Sequence, residues 1–174
     1  MFHFKFTQSE DDYLEFNKFF LTTPAGKDSI RRDNLYFILM SLVLFLLLAF
    51  LSRDFLFFGV SWLVVSIIHF FLARPLAWRR VKSHIKSAKK NGTFLYEKEE
   101  VIFDFEGLTF TETTVDTETK MEYTKIKRIV ANNNEFYLFV SNAQAYIIPF
   151  YVFDSPEHRD EFFDFINSKI GVTE

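Results

Sequence analysis

The chain has 174 residues, a formal net charge of −3 and no cysteine, which excludes disulfides, thiolate metal sites and cysteine nucleophiles. Aromatic residues make up 20% of it, mostly Phe. Many of these lie outside the two long apolar runs, so a second, aqueous core is expected, large enough for one small domain.

Residues 1–6 alternate strictly, with Phe2, Phe4 and Phe6 on one face and His3 and Lys5 on the other. That predicts a short strand with one buried face. Thr7 and Glu10 have capping-box spacing, so a helix is predicted from Gln8. Tyr13, Phe16 and Phe20 form its apolar stripe. Glu10, Asp11, Asp12 and Glu15 fill its first turns, where the helix dipole favours acid. Helices that lie on lipid are usually basic, so this stripe is expected to pack on protein. Residues 22–26 (TTPAG) are expected to end the helix, with a short loop leading to Arg31-Arg32.

Residues 35–51 and 55–73 are nearly uninterrupted apolar runs separated only by Ser52-Arg53-Asp54. As helices they reach roughly 25 and 28 Å, enough to cross a hydrocarbon core of about 30 Å with little tilt. The three-residue link allows only an antiparallel hairpin. A single buried helix is disfavoured, because Arg53 and Asp54 would then sit at its centre. The predicted hairpin, residues 31–74, is flanked by Arg31 and Arg32 before it. Arg74, Arg79, Arg80, Lys82, Lys86, Lys89 and Lys90 follow it, with no acidic residue among them. The positive-inside rule then predicts that both termini face the cytoplasm. Ser41, Ala49, Gly59 and Ser66 are small residues at matching depths and are expected to line the hairpin seam.

Pro75 suits the first turn of a renewed helix or a kink. Residues 75–92 read as a basic juxtamembrane helix stopped by Asn91-Gly92. Its cations either fix topology alone or also bind anionic lipid head groups. From residue 93 the period changes to two. Strands are predicted at 101–105, 108–112, 120–123, 125–131, 136–140 and 145–150. Turns are predicted at Glu106-Gly107, Asp116-Thr117-Glu118 and Asn132-Asn133-Asn134. Such spacing predicts an antiparallel sheet that curls or folds back on itself. Ser155 and Pro156 open a last helix, whose apolar face (Phe162, Phe163, Ile166, Ile170) is expected to plug the curled sheet.

Little catalytic chemistry is visible. His3, His69, His84 and His158 form no i, i+4 zinc pair, and residues 25–29 (AGKDS) lack the upstream glycine of a phosphate loop. Glu97, Glu99 and Glu100 read as a solvated strand edge. His69, the one ionisable residue inside a run, is expected to snorkel to the interface. No catalytic, metal or cofactor residue is predicted. Residues 96–174 carry sixteen acidic and seven basic residues, a balance of −9, which repels nucleic acid and anionic head groups. Lys125, Lys127 and Arg128 make only a small basic cluster. The β module is therefore expected to meet protein, or the basic juxtamembrane helix.

The pattern resembles the bacterial YcxB-like membrane proteins. The resemblance rests on DDYLEFNKFF (residues 11–20), the two-run hairpin, and residues 123–153 leading into SPEHRDEFFDFI (residues 155–166). Its closest points are IIPFYVF before the last helix and EGLTFTE (residues 106–112). One departure is Tyr123, where the family pattern leads one to expect Trp. The resemblance implies an α+β membrane protein with a pleckstrin-homology-like split barrel over residues 93–174, capped by the C-terminal helix, and it implies little about activity. The resulting expectation is a non-enzymatic, multi-pass protein of the bacterial inner membrane. Residues 1–30 would pack on its cytoplasmic β domain, which binds protein or a second copy. The alternative is an oligomer that senses anionic lipid or forms a pore, for which Ser41, Ser61 and Ser66 supply few polar groups.

Overall fold

The computed structural model describes residues 1–91, 100–107, 109–114 and 117–170. The expectations at Gly92, Glu97, Glu99, Leu108 and Asp116 lie outside these residues. The chain is α+β and divides into two compact units: residues 1–19 with 88–174, and residues 20–87.

The first unit begins with β1 (Phe2–Thr7), whose inward faces are Phe2, Phe4 and Phe6. After α1 (Glu10–Phe20) the chain leaves this unit, and it returns as β2 (Glu100–Glu106). Strands β3 (Thr109–Thr113) and β4 (Glu118–Glu122) complete a four-stranded antiparallel sheet of order β1-β2-β3-β4. Thus β1 and β2, neighbours in the sheet, are separated in sequence by the whole second unit. Their register places Phe2, Phe4 and Phe6 opposite Phe105, Phe103 and Val101, all on the buried face. Gly107 takes a left-handed φ of 55° in the link from β2 to β3. A 3-10 turn at Tyr123–Lys125 leads to a second antiparallel sheet: β5 (Arg128–Asn132), β6 (Glu135–Phe139) and β7 (Ala145–Pro149). This moves the predicted strand at 125–131 to a start at Arg128, because Tyr123 is drawn into the core by the turn.

Helix α4 (Pro156–Ile170) starts at Ser155, whose Oγ accepts from the His158 amide at 3.2 Å. It places Phe162 where both sheets meet. The Phe162 ring lies 5.2 Å from those of Phe2 and Phe4, 4.9 Å from Phe105 and 5.8 Å from Phe136. Strand β6 is buried along its whole length. Phe136 and Leu138 face this shared core, while Tyr137 and Phe139 face Phe16 of α1 at 5.2 and 6.1 Å. A strand covered on both faces reads as a continuous apolar run, which is what FYLF is.

Helix α1 does not start where the spacing of Thr7 and Glu10 predicts. Thr7 is held in the β ladder opposite Glu100, and Ser9 takes the cap. The Asp12 amide donates to Ser9 Oγ at 3.2 Å and the Ser9 amide to the Asp12 carboxylate at 2.8 Å, a reciprocal capping box.

The second unit holds α2 (Pro24–Ser52) and α3 (Phe55–Lys90). Both are long and apolar enough to cross a membrane. The predicted loop before Arg31 is instead helix. Thr23 caps α2, accepting from the Gly26 amide at 3.2 Å, and Pro24 occupies its first turn. Gly26 is required here, since a Cβ would fall 2.1 Å from the Phe20 carbonyl oxygen. Pro75 lies inside α3 without ending it. Arg53 closes α2 in the left-handed region at φ 59°, and the Asp54 carboxylate accepts from the Phe57 amide at 3.0 Å to open α3.

Candidate functional site

The hairpin seam is built from larger side chains than the small-residue pattern predicts. The Phe37 and His69 rings stack at 3.6 Å, Trp62 Nε1 donates to Ser41 Oγ at 3.2 Å, and Phe45 meets Phe58 edge-on at 6.3 Å. Ser41 thus pairs with Trp62, one turn from Ser66. Ala49 is buried. Ser66 is half-buried, and its hydroxyl has no partner among the described residues. Gly59 is off the seam: it is exposed, and a Cβ there would meet nothing within 4 Å. Facing α2 falls to Phe58 rather than to the adjacent Gly59. His69 stacks on Phe37 in the seam.

The basic flank residues have different fates. Arg80 pairs with Asp33 at 3.5 Å, Lys82 lies over the Trp78 ring at 5.2 Å, and Lys89 pairs with Glu10. Arg31, Arg32, Arg74, Arg79, Lys86 and Lys90 are exposed.

The strongest candidate recognition site lies in the β-rich unit. A cavity of about 480 Å³ opens between β3–β4, the start of β7 and helix α1. Tyr13, Phe16, Phe103, Met121 and Tyr146 contribute its apolar and aromatic walls, and the loop residue Ala143 is exposed at its rim. Glu112 is the acidic group in it. It stands opposite Phe103 and shares the inward face with Phe110 two residues away, so the ladder aims a carboxylate into an apolar face. Among the described residues no cation lies within ion-pair distance, and burial pushes the Glu112 carboxyl above its usual range. A carboxylate held this way gains most from an incoming organic cation with an apolar stem.

A second carboxylate is buried with no cation in ion-pair distance among the described residues. Glu135 is 2% exposed at the start of β6. Burial pushes its carboxyl up to about 7, with Asp12 and Glu15 of α1 adding to the rise and the Tyr137 hydroxyl, which donates to it, opposing. Sequence reasoning missed both groups. The Phe110/Glu112 parity carried a signal for one, while Glu135 reads as part of the Asn-rich turn beside it.

None of the curated proteins and none of the solved structures matches the chain. One family model does match: that of the YcxB-like proteins, over residues 105–166, which run from the end of β2 to Ile166 of α4. Over those residues the chain is similar to the YcxB-like family.

Proposed function

We propose that this is a non-catalytic recognition protein anchored in the bacterial inner membrane by a two-span hairpin, with both termini and the β module in the cytoplasm. The observation that carries the reading is the pairing of β1 with β2. The chain leaves one sheet, passes through α2 and α3, and rejoins that sheet at the next strand. An insertion of two spanning passages joined by the two-residue link Arg53-Asp54 returns the chain to the side it left. The uncovered side chains of the two helices support the anchor: Leu56 is 82% exposed and Phe71 74% exposed, far beyond what water tolerates in one patch. The basic flanks support the cytoplasmic side. Four strands, then three, then a capping helix is also the order of a pleckstrin-homology-like split barrel, here with the hairpin inserted between its first two strands.

In this reading the Glu112 cavity receives a Lys or Arg side chain of a protein partner, and the acidic balance of the module draws basic partners to it. The test is a photo-crosslinking amino acid at Ala143, in intact membranes, followed by mass spectrometry. A discrete protein adduct that disappears with Glu112→Gln supports the reading. Adducts that are unchanged by Glu112→Gln, or only lipid adducts, contradict it. The seam contacts Phe37–His69, Ser41–Trp62 and Phe45–Phe58 leave the single hairpin filled, which speaks against a pore within one chain.

A further inference from the structure

A groove of about 820 Å³ runs along one side of the α2–α3 hairpin, wholly within the second unit. On α2 its lining residues are 27, 28, 30, 31, 32, 34, 35 and 38, most of them on one helical face with Arg32 at its margin. The chemistry is graded along that face. Lys27, Arg31, Arg32 and Arg74 gather at one end, with Asp28 the one acid among them. Leu35, Ile38 and Phe70 form the other end, and Ala73, buried at 8% exposure, leaves room between the helices. From residue 27 to residue 38 the helix rises roughly 16 Å. That is the reach from a head group to the upper part of its acyl chains.

The four cations differ from three of their neighbours downstream. Arg80, Lys82 and Lys89 have partners inside the chain. Among the described residues no carboxylate lies within ion-pair distance of Lys27, Arg31, Arg32 or Arg74. Three of the four are arginines, two on α2 and one on α3, and offer planar donor forks suited to a phosphate. An apolar slot alone would fit any lipid tail, and a basic cluster alone any anion. The two in vertical series fit one molecule that is both.

We infer that this groove is a discrete binding site for a single anionic glycerophospholipid, its phosphate held between Arg31 and Arg74 and its acyl chains along Leu35, Ile38 and Phe70. The site rests on the hairpin lying in a bilayer. It differs from a diffuse attraction of the basic flank to the membrane, because Arg79 and Lys86 have no part in it.

The test reconstitutes the full chain in vesicles of neutral phosphatidylcholine with a minority of phosphatidylglycerol, confirms flotation, and counts retained lipids by native mass spectrometry after gentle detergent release. The wild-type chain retains one phosphatidylglycerol in preference to phosphatidylcholine. The double variant Arg31→Gln/Arg74→Gln reduces that retention about thirtyfold, given on the order of 1 kcal/mol per cation at an anionic head group. The charge-matched control Arg79→Gln/Lys86→Gln leaves it unchanged. Leu35→Trp, which fills the apolar end with every charge intact, also lowers it. Equal loss in the control, equal retention of neutral lipid, or displacement by inorganic phosphate overturns the site while the anchor stands. A chain that does not float overturns the anchor, and the groove with it.

Discussion

Two buried polar groups set what single residues contribute to stability. Glu135 is protonated more readily in the folded chain, at about 7, than in the unfolded one, where a glutamate titrates near 4.5. Below that lower value both states carry the proton and the group adds no penalty. As pH rises from there, only the unfolded state loses its proton easily, so stability falls until pH passes about 7 and then levels off. The size of the fall is on the order of 3 kcal/mol. Glu135→Gln should remove most of this slope and raise stability above neutral pH, with little change near pH 4. Denaturant unfolding of the detergent-solubilised chain across pH measures it, and an unchanged slope would show that the group is not the source. Tyr123 poses a simpler case. It is 2% exposed, packed beside Phe105, Phe110 and Phe165, and among the described residues its hydroxyl has no hydrogen-bond partner. Burial, and to a lesser degree Glu106, push its phenol up to about 12. Tyr123→Phe should therefore stabilise the fold by about 1 kcal/mol, the relief of one unpaired buried hydroxyl. A lower unfolding midpoint in the variant would mean that the hydroxyl is bonded after all.

Among the elements, β1 bears most on how the molecule is assembled. It supplies Phe2, Phe4 and Phe6 to the core and pairs along all of β2. Removing residues 1–7 leaves the β2 edge unpaired and opens the core at Phe103, Phe105 and Phe162. The isolated segment 88–174 should fail to give cooperative unfolding, and should regain it when a peptide of residues 1–20 is added. A cooperative transition without the peptide would make β1 dispensable. Much of this architecture was legible in the sequence. The alternation in FHFKF and VIFDF states which face is buried, and the Ser155-Pro156 start of α4 is a local signal that tertiary structure did not override. Local signals misled where two candidates competed. Thr7/Glu10 and Ser9/Asp12 have the same spacing, and only the β1 ladder decides between them. The Thr23-Pro24 start of α2 was hidden in a stretch that reads equally as a loop. The pairing of β1 with β2 across more than ninety residues was not legible, because no local pattern reports a partner that distant. The Glu112 cavity and the graded groove were not legible either, since both depend on side chains brought together by register and helix packing.

At the scale of the whole molecule, the fold constrains the path of the chain more than it constrains its chemistry. A YcxB-like module, closed by α4 and stitched by β1, holds both ends of a helical hairpin. Whatever the module recognises, it does so tied by two strands of chain, at positions only one strand apart in its own sheet. The absence of native cysteine makes the resulting topology directly measurable. Single cysteines at Asp11, Ser52 and Asn142, each exposed, sample the segment before the hairpin, its tip and the β module. Labelling intact cells and then opened cells with a membrane-impermeant maleimide should modify Ser52→Cys from outside, and Asp11→Cys and Asn142→Cys only after opening. Labelling of residues 11 and 142 from opposite faces, or of all three from the same face, would contradict the two-span anchor on which this account stands.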